Sequence, residues 1–200
     1  MDKPEAINDA LVTWTMTVSD RCRQSMTELI QTLCDGLADH GLPIDRVHLS
    51  FIPHHPQLRI GVLQWSAGQT VGWGHVSWPD EKVRSPLFRR NPVYMLRQGQ
   101  VPEIRVRLTS SRQISRYRLT ENLAQEGFTD YFGLAVDGGY QRPVTLVFIT
   151  RSPDGFSQDN LNDFRTVAWA SQTAIQRETL RSLAQTISST YIGKVAGNRV

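Results

Sequence analysis

Cysteine is scarce in this chain of 200 residues: Cys22 and Cys34 are the only two. On a single helix, twelve residues of separation place them ~18 Å apart at helical rise, beyond disulfide reach. The thiols therefore read as small apolar fillers in a reducing compartment. Long apolar runs are missing as well. None approaches the ~20 residues that cross a bilayer, and the opening MDKPEAIND is acidic and polar, unlike a secretory signal. The expectation is a cytoplasmic protein without a membrane partner. Catalytic signatures are also lacking. There is no phosphate-cradling glycine loop, no GxSxG, no HExxH and no Cys/His cluster with zinc spacing. The sequence thus names no catalytic residue, no metal site and no cofactor. His54 and His55 stand between Pro53 and Pro56 without a third ligand nearby, and read as part of a turn. His48 and His75 fall within strand patterns and read as structural.

Charge is present but unevenly spread. The net charge is only +3, yet the segment 82–118 holds ten Lys and Arg residues against Glu103 alone. The remainder of the chain is therefore net acidic, and local charge is the informative quantity. Within the segment, Arg97, Arg105 and Arg107 are candidate contacts for an anion or an acidic partner. The alternative is a solvated face balanced by acidic helices. Nucleic-acid binding is not expected, because one basic loop without a helix-turn-helix or an aromatic RNA-reading sheet makes a poor case.

Apolar periodicity supplies the architecture. Ile7, Leu11, Trp14, Val18, Cys22, Met26, Leu29, Leu33 and Leu37 form one stripe at three- and four-residue steps, which predicts a single helix over 7–40 closed by Gly41 and Pro43. Strands are expected at 46–52, 58–65 and 70–78, joined by short turns into an antiparallel meander. Pro79, Pro86, Pro92 and Pro102 then break an irregular stretch into pieces. NPVYMLRQG reads as a short helix with Pro92 at its first position, PEIRVRL as a strand, and 119–126 as a short helix closed by Gly127. Two nearly continuous apolar strands, 129–136 and 143–150, belong in the sheet centre.

Ser157 then caps a long terminal helix. Its apolar positions are Leu161, Phe164, Ala168 and Ile175, followed after a five-residue skip by Leu180, Leu183 and Ile187. A helix of that length outruns a small domain, so its far half is expected to pack on something else. Trp14, Val18, Phe164, Ala168, Ile175, Leu183 and Ile187 are the candidate dimer contacts. A terminal helix folded back on its own domain is the alternative. The fold expected is α+β, with a central antiparallel sheet of five to six strands, long N- and C-terminal helices on one face and the irregular insert on the other. Helix-first order favours a GAF-like domain over a PAS-like one.

Several segments together resemble one family, the N-terminal GAF-like regulatory domain of bacterial class III adenylate/guanylate cyclases. They are GLPIDRVHLSFIPHHPQ (41–57), GVLQW (61–65), SP (85–86), LAQEGFTDYFGLAV (123–136), FITRSPDGFSQDNL (148–161) and SLAQTISSTYIGKVAGNRV (182–200). The last is similar to the linker ahead of the cyclase catalytic domain. The resemblance implies an N-terminal dimerisation helix (1–40), a GAF-like sensor core (41–156), and a C-terminal signalling helix and linker (157–200) leading to a catalytic domain that this chain does not contain. It further implies a homodimer that governs cAMP formation and makes no cyclic nucleotide itself.

A small-molecule pocket would lie between sheet and insert, with Trp65, Trp73, Trp78, Tyr94, Met95, Tyr131 and Phe148 as candidate walls. Both cysteines fall in the first helix, away from the insert. That placement argues against a covalent bilin and against thiol-based sulfoxide reduction. A ligand-free dimerisation scaffold and a sensor domain of another signalling protein remain as rival readings.

Overall fold

The computed structural model describes residues 1–22, 25–51, 61–75, 89, 91–114, 117–139 and 143–191. Its frame is a six-stranded, wholly antiparallel sheet built from β1 (Arg46–Phe51), β2 (Gly61–Ser66), β3 (Gly72–His75), β4 (Glu103–Arg107), β5 (Asp130–Val136) and β6 (Val144–Thr150). The spatial order is β3-β2-β1-β6-β5-β4. β1 and β6 thus meet in the middle although about a hundred residues separate them, with Val47 opposite Phe148. Every residue of β6 is buried, as are all but one of β5. Continuous apolar runs produce this pattern, because a central strand must satisfy a packing layer on each face.

One layer is helical: α1 (Asp9–Arg21), α2 (Met26–Asp39), α6 (Gln158–Ala170) and α7 (Gln172–Tyr191). The larger core lies between these helices and Val47, Leu49, Leu63, Trp65, Phe132, Leu134, Leu146 and Phe148 of the sheet. Phe164 of α6 is its centre. It stacks on Phe148 at 4.1 Å and meets Phe156 edge-on at 4.9 Å, geometries that suit the ring quadrupole. The opposite face is covered by α3 (Pro92–Arg97), α4 (Ser111–Ile114) and α5 (Arg118–Gln125), over a smaller core that includes Val106, Tyr131, Val147 and Ile149. The α+β, GAF-like plan expected from the sequence is the plan observed.

Both expected long helices are divided. The N-terminal stripe is carried by two helices, with Ser25 accepting the N–H of Glu28 to start the second. Trp14 of α1 lies against α2 at Gly36, where a Cβ would fall 2.1 Å from the indole, and its ring also meets His40 at 5.1 Å. The helices therefore fold back on each other. A stripe that keeps phase across a break cannot reveal the break, since both halves face the same core. Among the described residues, the C-terminal rod is interrupted at Ser171, whose hydroxyl and N–H both return to the Val167 carbonyl. Such back-bonding competes with the helical ladder and bends it.

The helix break also changes the dimer-contact expectation. Phe164, Ala168 and Ile175 are fully buried within the chain's own core, and Trp14 and Val18 pack on that core. Phe164, Ala168 and Ile175 are internal because the helices close on their own sheet, whereas Trp14 and Val18 are half-buried. Leu183 is half-buried, and Ile187 is 49% exposed.

Candidate functional site

Antiparallel register decides what shares a face. One cross-strand row runs Trp65, Val47, Phe148, Phe132 and points to the helical layer. Its neighbour runs Gln64, His48, Val147, Gly133, Ile104 and points to the insert. Trp65 and Phe148 therefore belong to the core beneath α2 and α6, where the Trp65 indole donates to Asp35 at 2.7 Å. Trp73 pairs with Leu63 on that same side and is 49% exposed. Tyr131 and Met95 lie on the insert side, and Tyr94 is half-buried on α3. The six described candidate wall residues are thus divided between the two faces of the sheet. Trp78 lies outside the described residues, as do His54 and His55.

What the insert face does carry is a polar floor. His48 meets Gln64 at 3.0 Å, and the Ser50 and Thr145 hydroxyls bond each other one row away. Burial, only partly offset by the Gln64 contact, holds the His48 imidazole down at about 4, so the ring is neutral at physiological pH. Across β6, Leu96 of α3 descends onto Gly133. A Cβ at Gly133 would come within 2.8 Å of Leu96 and 3.3 Å of the Tyr131 hydroxyl. That phenol is buried and finds no hydrogen-bond partner among the described residues, and burial pushes its ionisation up. A buried, uncommitted donor is costly. The sequence marked His48 as structural and did not single out Ser50 or Thr145. Each pairs with a second polar residue across the sheet, His48 with Gln64 and Ser50 with Thr145, a property of register that no single strand displays.

The arginines of the basic strand β4 have acceptors within the chain. Asp130, fully buried at the head of β5, accepts from Arg105 Nη2 at 2.7 Å, from Arg107 Nη1 at 3.4 Å, and from the N–H groups of Tyr131 and Phe156 at 3.0 Å each. Arg105 and Arg107 also donate to the carbonyls of Phe156 and Asp154. Glu103 on the same strand takes a two-pronged bond from Arg165 of α6, at 2.8 Å on each arm. These arginines fasten the edge strand to the loop that starts α6, through Nε and Nη2 of Arg105 and Nη1 of Arg107. Arg97 sits apart from them, buried on α3.

A third feature links the terminal helices. Arg177 of α7 donates to the carbonyls of Ser19 and Cys22 at 3.2 and 2.9 Å, capping α1 where its carbonyls lack intrahelical partners. It also pairs with the buried Glu178 at 3.0 Å. Ala174, Ile175, Glu178 and Thr179 are buried, whereas Leu180 and Ile187 are 44% and 49% exposed.

No protein-family model matches the sequence, and no curated protein matches it. Solved structures do match the fold. The GAF domain of a two-component sensor histidine kinase from Bacillus halodurans aligns with a TM-score of 0.55 at 13% identity, over 78% of this chain and 97% of that one. The phycocyanobilin-bound GAF domain of a cyanobacterial phytochrome aligns at 0.57 and 16%, over 88% and 98%. The GAF domain of an Acinetobacter phosphoenolpyruvate-protein phosphotransferase aligns at 0.56 and 13%, over 83% and 90%. The protein has a GAF-like fold. Among the described residues, no helix is long and apolar enough to cross a membrane.

Proposed function

We propose that this chain is a sensory and regulatory domain whose terminal helices hand the state of the sheet to a following output domain. The observation that carries the reading is the division of α7. Its first two turns are locked to the domain by Ile175, Arg177 and Glu178, while Leu180 and Ile187 further on face outward. A helix held at one end and uncovered at the other transmits a shift of its anchor to whatever packs on its far half. The neighbouring folds named above come from a sensor histidine kinase and a phytochrome, which agrees with a sensory role.

The finer reading rests on the sequence segments that resemble cyclase regulatory domains. On it, residues 1–40 and 157–200 flank the sensor core 41–156 in a cytoplasmic homodimer. Leu183 and Ile187 meet their counterparts, and a class III adenylate cyclase catalytic domain follows. A sensor domain of another signalling protein accounts for the same geometry. A ligand-free scaffold has one observation in its favour, the close descent of Leu96 onto Gly133.

Native mass spectrometry of protein purified from its own host separates sensor from scaffold. A retained small molecule, lost on substituting Tyr131 by Phe, supports the sensor. Light scattering tests the dimer: a strict monomer from micromolar to millimolar concentration overturns the helix relay between two copies.

A further inference from the structure

We infer a small-molecule site on the rim of the sheet, at the start of β1, with the chemistry to hold a small zwitterion such as a free α-amino acid. A cleft of about 310 Å³ lies beside the start of β1 and the β2–β3 turn, lined by Asp45, Arg46, Gln64, Ser66, Gln69 and Arg151. Its size suits a molecule of amino-acid dimensions, and apart from Ala67 its lining side chains are polar.

The charges in it are arranged and only partly used. The Arg151 guanidinium stacks on the Phe128 ring at 3.9 Å, and that of Arg46 on the same ring at 4.5 Å. One aromatic side chain thus holds two cations at the cleft. Arg46 gives one arm to Glu126 at 2.9 Å. Arg151 makes no side-chain hydrogen bond among the described residues, since its nearest acid, Asp45, is 4.0 Å away. Planar donors held in place without an acceptor suit a carboxylate. Asp45 supplies the opposite pole. Its Oδ2 accepts from the Arg151 N–H at 2.6 Å and from the Thr150 hydroxyl at 3.3 Å. Oδ1 keeps only the 4.0 Å ion pair, which leaves it open to an ammonium. The side-chain amide of Gln69 completes the set with both a donor and an acceptor. A carboxylate and two guanidiniums across one cleft match a ligand that carries both charges better than one that carries either.

The position bears on regulation. Arg151 opens the turn that runs through Asp154 and Gly155 to Phe156, the turn pinned by Arg105, Arg107 and Asp130 ahead of α6. Occupation of the cleft therefore acts on the same loop that sets the start of the terminal helices. The binding claim itself stands or falls independently of the sensor reading.

The test is a thermal-unfolding screen of the purified chain against the twenty amino acids, each set beside its decarboxylated amine and its deaminated acid, with inorganic phosphate as a further probe. At least one amino acid should raise Tm with the logarithm of its concentration, while its amine and its acid leave Tm unchanged. Arg151→Gln and, separately, Gln69→Leu should each weaken that binding at least tenfold by calorimetry. Both alter exposed side chains, and circular dichroism of the apo variants verifies the fold. No response to any amino acid at 10 mM (about the weakest affinity worth calling a site), a response to phosphate alone, or undiminished binding in both variants would overturn the inference. A small molecule retained at Tyr131 alongside a silent cleft would sink this site and leave the sensor reading intact.

Discussion

Replacing Asp130 by Ala should be among the most damaging single substitutions available in this protein. The carboxylate is fully buried and carries four partners: two guanidiniums and two backbone N–H groups. Removing it leaves Arg105 and Arg107 facing each other without a counter-charge, although each is about 30% exposed and keeps a backbone carbonyl as acceptor. Breaking a buried pair from one side costs about 3–5 kcal/mol, and partial solvation of the arginines places the expectation at the lower end. Against a whole-domain stability of about 5–15 kcal/mol, that is a large share. Urea unfolding followed by circular dichroism and by tryptophan fluorescence measures it. Asp130→Asn keeps the shape and two acceptor lone pairs, and should lose roughly half as much. In a double-mutant cycle with Arg105→Ala, the two losses should fall short of adding, by about 1–3 kcal/mol. An Asp130→Ala protein within about 1 kcal/mol of the parent would refute the assignment of this carboxylate as the fastening between β4, β5 and α6.

Gly155 stands at φ +67, and a Cβ there would lie 2.5 Å from Arg107 Nη1 and 2.7 Å from Asp130 Oδ2. Gly155→Ala should therefore cost about 2–4 kcal/mol, against about 1–2 kcal/mol for Gly41→Ala, where the left-handed φ is the only obstacle; equal losses in urea would contradict the crowding. His48 is neutral in the folded protein, held at about 4 against an ordinary 6.5. Between those values the unfolded chain binds a proton that the folded one does not, so stability should fall as pH drops through this window and level off below it. The loss is at most about 3 kcal/mol, and smaller because the ring is partly solvated. His48→Gln should flatten that slope in urea titrations across pH 4–7. Tyr131→Phe removes a buried hydroxyl that has no partner among the described residues, so in ligand-free protein it should leave Tm unchanged or raise it. A clear fall would mean the hydroxyl is already bonded in the empty state.

The strands, their order of appearance and the caps were legible from local pattern. Alternation at Val47, Leu49 and Phe51 placed β1. Unbroken apolar runs placed β5 and β6 at the centre. Pro92 and Ser157 marked helix starts that the structure shows. These follow from the sequence because they depend on neighbours within a few residues.

Three things needed the tertiary structure. The break between α1 and α2 was hidden because both halves turn the same stripe to one core, and only the seating of Trp14 on Gly36 reveals the fold-back. The faces of Trp65, Phe148 and Tyr131 depend on pairing register, which is a property of two strands and not of either alone. The engagement of Arg105 and Arg107 depends on Asp130 and on carbonyls 47 and 51 residues away, contacts that no local pattern of charge encodes. Periodicity states which side of an element is apolar; closure of the chain on itself decides what each side meets.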